Sequence, residues 1–184
     1  EGGTGAAPLE FADHVGLPLY VGLVMVDELL KKYDLRDKLK LNASGKVFNG
    51  FGMIRALALG ADICSSARAM MLSVGCLHAK LCNKNTCAAG VATQDPSLMK
   101  GLDVTDKAAR TYNYHKSTVH AFLELMSATG AKHPNEIKRD FIMRMAEDGD
   151  VHNLDEIVNA WNFKKKIIDG IKVGTDLGNG GQLA

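Results

Sequence analysis

Hydrophobic positions recur along the first part of the chain at spacings that alternate between those of helices and those of strands. Helical spacing predicts helices over residues 18–33, 50–59 and 67–81. The alternation of apolar and polar residues over 39–43 predicts one strand, and the segment 61–65 predicts a second. Each predicted strand is followed by a turn of small residues and then by a helix. Successive strand–turn–helix units are typical of an α/β fold with a parallel sheet.

The pattern changes to helices alone in the second part of the chain. A long amphipathic helix is predicted over residues 105–129, with Thr105 as its N-cap. Short helical segments are predicted from Pro134, over 140–145 and over 154–161. This part therefore predicts a helical addition to the α/β unit.

The change of pattern predicts a domain boundary near Gly101. We expect an α/β part with the cysteine segment over residues 1–100, a helical extension over 101–170 and a flexible, glycine-rich tail over 171–184. The chain opens on Glu1 inside a glycine-rich stretch. We therefore also expect a longer polypeptide, or a larger assembly, of which this chain is one part.

Composition excludes several classes of partner. Lys and Arg number 22 against 21 Asp and Glu, so the chain has no electrostatic footprint for nucleic acid or for an anionic membrane. The hydrophobic content of 46% is that of a globular protein. No run of about 18 apolar residues predicts a membrane span. Four cysteines without a secretory signal indicate a reducing compartment, the cytoplasm or an organelle matrix.

The turns after the two predicted strands combine small residues with a basic one. Small residues let backbone N–H groups approach an anion, and the N-terminus of the following helix adds a partial positive charge. Two such turns at the ends of neighbouring strands form the usual phosphate site of a (β/α)8 barrel, although Gly and Ser are also ordinary turn residues. The candidate phosphate ligands are Ser44, Gly45, Lys46, Ser65, Ser66 and Arg68.

Cys76, Cys82 and Cys87 lie in one short segment, which is typical of ligands to a metal or a cluster because only a shared metal needs several soft donors at one point. The spacing predicts Cys76 and Cys82 one to two turns apart on a helix, and a polar loop over 83–86. Three thiolates suit a 3Fe–4S cluster. Zinc would need a fourth ligand, for which His78 is the nearest candidate, and a reduced trio without metal is the third interpretation.

Six strings of the sequence carry a family resemblance. They are Glu1-Gly-Gly-Thr-Gly-Ala-Ala-Pro8, Ala43-Ser-Gly-Lys46, Leu57-Ala-Leu-Gly-Ala-Asp62, Cys64-Ser-Ser-Ala-Arg68, Gly75-Cys76 and Asn85-Thr-Cys-Ala-Ala-Gly-Val-Ala-Thr-Gln-Asp-Pro96. Together they resemble the FMN-binding domain of the glutamate synthase family, and most closely its short members that lack a glutaminase domain. The resemblance covers residues 1 to about 145.

The resemblance implies the C-terminal portion of a (β/α)8 TIM barrel, in which the two predicted strands are strands 7 and 8, followed by the helical extension. It implies FMN as the cofactor, with the six candidate ligands around its phosphate. Gly2, Gly3 and Thr4 would approach the flavin and the substrate. The three clustered cysteines match the family's ligands to a 3Fe–4S cluster.

The family's synthase domain reduces 2-iminoglutarate, formed from 2-oxoglutarate and ammonia, to L-glutamate. The resemblance implies that this chain is part of such an FMN-dependent oxidoreductase, acting on a small-molecule substrate. The family's catalytic residues fall outside the chain, so we expect the remainder of the barrel to come from upstream polypeptide or from another subunit.

Two other functions stay open. The family usually has Pro where Ala88 stands, and often Asn and Gly where Ser65 and Ala69 stand. These departures allow a catalytically decayed structural subunit of a larger assembly that retains the barrel fold. A redox module that uses only the three clustered cysteines is the other possibility.

Overall fold

The structure, a computed structural model, describes residues 14–145 and 149–161 together with Pro8 and Phe11. The predicted flexible tail over 171–184 lies outside the described residues. The helices are α1 (Leu19–Lys32), α2 (Gly50–Ala58), α3 (Arg68–Ser73), α4 (Pro96–Met99), α5 (Val104–Ala128) and α6 (Leu154–Ala160). The strands are β1 (Asn42–Ser44), β2 (Ile63–Ser65), β3 (Met143–Met145) and β4 (Val151–Asn153). The described part of the chain is thus mixed α/β.

Strands β1 and β2 form a parallel pair in which Ala43 lies opposite Cys64 and Ser44 opposite Ser65. Helix α2 connects them, so the predicted strand–turn–helix order is confirmed. The first strand begins later than predicted because a backbone group before it is already hydrogen-bonded to a side chain. Arg36 donates to the carbonyl oxygen of Leu39 at 3.1 Å. The parallel ladder therefore starts at Asn42.

The predicted bounds of α1, α2 and α5 are confirmed to within about two residues. Asn49 caps α2 as predicted, because its Oδ1 atom accepts a hydrogen bond from the N–H of Gly52 at 2.8 Å. The predicted cap of α5 is wrong. Asp103, and not Thr105, accepts the hydrogen bond at the start of α5, from the N–H of Asp106 at 2.9 Å.

The hydrophobic core lies where α1, α2, β1, α5 and α6 meet. Its side chains come from all of these elements, and the most deeply buried include Val24, Ala43, Ala56, Leu59 and Val158. Helices α2 and α5 pack closely because Gly50 has no side chain. A Cβ atom at this position would lie 2.6 Å from the backbone nitrogen of Phe122. The predicted helical extension is thus joined to the α/β unit through α5.

One predicted helix is too long and another is wrong. The helix over 67–81 ends at Ser73, and Gly75, His78 and Lys80 follow with positive φ angles, which no α-helix accommodates. The helix over 140–145 is a short 3-10 turn, Arg139–Phe141, followed by β3, which pairs with β4 in antiparallel register. Neither Met nor Arg favours strands, so pairing with β4, and not local preference, determines this hairpin.

Candidate functional site

The carboxyl ends of β1 and β2 lie side by side, because Ser44 and Ser65 are partners in the parallel register. The chain leaves β1 through residues 45–49, which we call the first turn, and leaves β2 through residues 66–67, the second turn. One cavity lies between these turns and is lined by residues 44–48 and 67–69. The structure therefore brings Ser44, Gly45, Lys46 and Arg68 together, as an anion site at the strand ends requires.

The two remaining candidate serines connect the strands and the turns. Ser65 Oγ donates to Asn42 Oδ1 at 3.0 Å, across the two strands. Ser66 Oγ donates to the backbone carbonyl of Val47 at 2.6 Å, across the two turns. A serine has one hydroxyl hydrogen, so in this arrangement both hydroxyls keep only their acceptor capacity. The remaining polar groups that line the cavity are backbone N–H groups, the Ser44 hydroxyl and the side chains of Lys46 and Arg68.

The backbone of the first turn includes a residue in the left-handed region. Lys46 has a φ angle of 53°, in the left-handed region that few non-glycine residues adopt. Gly45 is buried and lines the cavity. At the second turn Ala67 precedes α3 and, as an alanine, makes no side-chain cap to this helix.

Cys76, Cys82 and Cys87 also lie together, but not on a helix. Cys76 follows α3, and the segment then bends at His78 and Lys80 before Cys82 begins a short 3-10 turn. All three thiols line one small cavity, whose wall omits His78. Over residues 14–145 and 149–161, no group of three His, Cys, Asp or Glu side chains is arranged to hold a metal ion. The three cysteines thus line one cavity, but their sulfur atoms are not arranged around a common metal position.

The loop after Cys87 directs backbone N–H groups at its sulfur. The N–H of Ala92 is the largest cause of a lowered pKa of the Cys87 thiol, and the N–H groups of residues 89–91 add to it, although burial acts in the opposite direction. The loop needs Gly90, which has a φ angle of 71° and whose Cβ atom, if present, would lie 2.7 Å from the carbonyl oxygen of Leu98.

The N–H of His78 likewise donates to the sulfur of Cys76 at 3.4 Å. Hydrogen bonds of this kind stabilise thiolates and are a usual feature of iron–sulfur ligands. The cysteines are nevertheless not arranged to hold a metal ion in the part of the chain that the structure describes, so the cluster stays a prediction. The zinc interpretation also lacks its nearest fourth ligand, because His78 does not line the cavity.

Gly2, Gly3 and Thr4, the predicted flavin and substrate contacts, lie outside the described residues. Their role stays a prediction.

A buried charge cluster at the amino ends of the strands was not predicted. Asp27 is 1% exposed and accepts from Lys31 Nζ at 2.7 Å, Arg36 Nε at 2.8 Å and Arg139 Nη2 at 3.0 Å. Arg36 continues the cluster to Asp62, at 2.9 Å. Only the pair of Asp27 and Lys31 has a spacing that a sequence reveals, since the other partners are distant along the chain. In a barrel, residues at this end of the strands serve stability rather than chemistry.

None of the helices in the described ranges combines the length and apolarity needed to cross a membrane.

Comparison with known proteins agrees with the family resemblance found in the sequence. Residues 1–132 match the family model described as the conserved region in glutamate synthase. The glutamate synthase large subunit-like protein YerD of Bacillus subtilis (strain 168) is 46% identical over 161 residues, which are 88% of this chain and 31% of that protein. The archaeal glutamate synthase (NADPH) of Methanocaldococcus jannaschii is 40% identical over 130 residues, 71% of this chain and 26% of that protein.

A more distant relative is the ferredoxin-dependent glutamate synthase of Pyropia yezoensis, 31% identical over 137 residues, which cover 74% of this chain and 9% of that protein. The chain thus spans less than a third of the length of each of these three relatives. The family resemblance seen in the sequence is confirmed.

Proposed function

The chain belongs to the glutamate synthase family, and from this premise we propose that it supplies the FMN phosphate site of a glutamate synthase-type oxidoreductase. The whole enzyme would form L-glutamate reductively from 2-oxoglutarate and an ammonia or amide nitrogen. The observation that carries the proposal is the cavity that residues 44–48 and 67–69 line between the first and second turns, at the carboxyl ends of two parallel strands. Ligand phosphates bind at this position in (β/α)8 barrels.

The chemistry of the cavity suits a phosphate monoester. Lys46 and Arg68 provide two positive charges, and Arg can contact two phosphate oxygens at once. The backbone of Gly45 can approach an anion closely because no side chain intervenes. Ser44 adds a hydroxyl. Ser65 and Ser66 would act indirectly, by holding the two strands and the two turns in place.

The open edges of β1 and β2 offer places where strands of the proposed remainder of the barrel can pair. In the described residues the parallel sheet consists of β1 and β2 alone, so each strand has one open edge. Ile63 on β2 is 52% exposed and Leu39, just before β1, is 48% exposed. Parallel strands are normally covered on both faces and paired at their edges. We propose that strands from the same polypeptide, or from another subunit, continue the sheet and complete the active site.

We further propose that Cys76, Cys82 and Cys87 hold a 3Fe–4S cluster. When bound, such a cluster supplies one-electron transfer to or from the flavin. The part of this chain is to bind and tune it: the backbone N–H groups of residues 89–92 lower the pKa of the Cys87 thiol, and the N–H of His78 donates to the sulfur of Cys76 at 3.4 Å. The shared cavity and these hydrogen bonds support the assignment.

A structural subunit without activity is the second candidate. It is favoured by Ala69, a buried alanine in α3 where the family often has glycine, because its methyl group lies beside the proposed phosphate cavity. The visible absorbance of the natural polypeptide that contains this chain distinguishes the two candidates. Flavin bands with a broad iron–sulfur absorbance support the enzyme, and a colourless protein supports the structural subunit.

The phosphate site itself is tested by comparing FMN with riboflavin, which lacks the phosphate. We expect Lys46→Gln and Arg68→Gln each to raise the Kd for FMN about 10-fold or more, because hydrogen bonds to charged groups contribute about 1.5–3 kcal/mol. The Kd for riboflavin should stay unchanged, and the matched control Lys100→Gln, at an exposed position outside the cavity, should change neither. Equal changes for both flavins would contradict the assignment.

A further inference from the structure

We propose that Tyr114, on α5, is a positioning residue that sets the shape of the first turn and thereby its affinity for a phosphate group. This inference rests on the proposed function, which it deepens. It assigns part of the phosphate site to a helix that lies about 40 residues after the second turn. Tyr114 belongs to none of the motifs that point to the site in the sequence.

The observation that carries the inference is a pair of hydrogen bonds to consecutive carbonyl groups of the first turn. The hydroxyl of Ser66 donates to the carbonyl of Val47 at 2.6 Å. The hydroxyl of Tyr114 donates to the next carbonyl, that of Phe48, from a position 66 residues further along the chain. The turn is therefore held by two side chains from two other elements.

Holding a carbonyl oxygen also fixes the direction of the next N–H group. The peptide bonds of the described residues are trans, so the N–H of each peptide points opposite to its carbonyl. Ser66 and Tyr114 hold the carbonyls of Val47 and Phe48 on their own side. The N–H of Phe48 must then point away from the Ser66 hydroxyl, and the N–H of Asn49 must point away from the Tyr114 hydroxyl. Phe48 belongs to the wall of the phosphate cavity, so this direction determines which donors face an anion there.

The helix that carries Tyr114 is itself fixed. One turn before Tyr114, the hydroxyls of Thr111 and of Ser73, at the end of α3, lie within hydrogen-bond distance of each other at 3.2 Å. About two turns after it, the backbone of Phe122 lies against Gly50, at the start of α2. These contacts join α5 to the two helices that follow the two turns. A rigid support of this kind preorganises a binding site and so increases its affinity.

The same helix offers a matched control. Tyr112 is 64% exposed, and its ring faces the exposed Lys116. Tyr114 is half-buried and lines a cavity together with Phe48, Cys64 and Ser66. Replacing either tyrosine by phenylalanine removes one hydroxyl and little volume. Only the hydroxyl of Tyr114 contacts the turn.

The test measures the Kd of FMN and of riboflavin for the natural polypeptide that contains this chain, by quenching of flavin fluorescence. We expect Tyr114→Phe to raise the Kd for FMN about fivefold, which corresponds to one hydrogen bond of about 1 kcal/mol. The Kd for riboflavin should change by less than about twofold. Ser66→Ala should have the same selective effect through the neighbouring carbonyl, and Tyr112→Phe should leave both Kd values unchanged. The thermal unfolding midpoint of each variant shows whether its fold is retained.

Two results would overturn the inference while leaving the proposed phosphate site intact. In the first, wild type prefers FMN to riboflavin and Tyr114→Phe preserves the whole preference. In the second, Tyr114→Phe weakens both flavins equally, which would indicate a general loosening of the fold. A wild-type protein that binds FMN no more tightly than riboflavin is a different result, because it overturns the phosphate site and the positioning role together.

Discussion

Neutralising Asp27 gives the sharpest test of how this fold is held together. Its carboxylate is 1% exposed and lies within hydrogen-bond distance of Lys31, Arg36 and Arg139. These contacts connect α1 to the segment before β1 and to the turn that precedes β3. In Asp27→Asn the side chain keeps its shape and one acceptor oxygen, but the negative charge and the second acceptor are lost.

The size of the expected loss in stability depends on the ion-pair partners that Lys31, Arg36 and Arg139 retain in this variant. Removing one partner of a buried ion pair costs about 3–5 kcal/mol, because the remaining charge stays buried without compensation. Here Arg36 keeps Asp62 at 2.9 Å, and Arg139 keeps Glu28 at 2.8 Å. Lys31 is half exposed and can turn to water. We therefore expect a loss near the lower end of the range, about 3 kcal/mol in the free energy of unfolding.

The assay is urea unfolding of the natural polypeptide that contains this chain, combined with hydrogen exchange of the peptides that cover α1 and the segment before β1. Asp37→Asn is the control, because it removes the same charge from an exposed side chain and should change stability by less than about 0.5 kcal/mol. If Asp27→Asn costs less than about 1 kcal/mol, or if exchange increases uniformly and not at α1, the cluster does not hold these segments together.

Two further predictions concern the helix contact and the cysteines. Gly50→Ala should destabilise the protein by more than about 1 kcal/mol, because the new methyl group would meet the backbone of Phe122. Gly22→Ala, inside α1 with its nearest neighbour at 3.7 Å, should instead stabilise it slightly in the same unfolding assay. In a pH series of iodoacetamide labelling of the metal-free protein, Cys87 should react at lower pH than Cys64. Backbone N–H groups lower the pKa of the Cys87 thiol, whereas burial raises the pKa of the Cys64 thiol, and the reverse order would contradict both assignments.

The features that could be predicted from the sequence are those set by neighbouring residues. The order of β1, α2 and β2, the cap at Asn49 and the small residues of both turns are local signals. The helix predicted over 67–81 was too long because apolar spacing continued past Ser73, where the backbone turns into the left-handed region. A pattern of apolar residues cannot show that change, since it reports which residues are buried and not the backbone angles.

The features that could not be predicted depend on partners that are distant in the sequence. Asp27 meets Arg139 across 112 residues, and Tyr114 meets the first turn across 66. Spacing rules apply only within a few residues, so a side chain of this kind looks like any other polar residue on a helix. This limit bears on the phosphate site itself. Motifs can identify the groups that would touch a phosphate, while the residues that hold those groups in place are visible only in the folded chain. If the Tyr114 hydrogen bond sets FMN affinity as proposed, motif matches alone will overestimate how well a related chain with another residue at this position retains the cofactor.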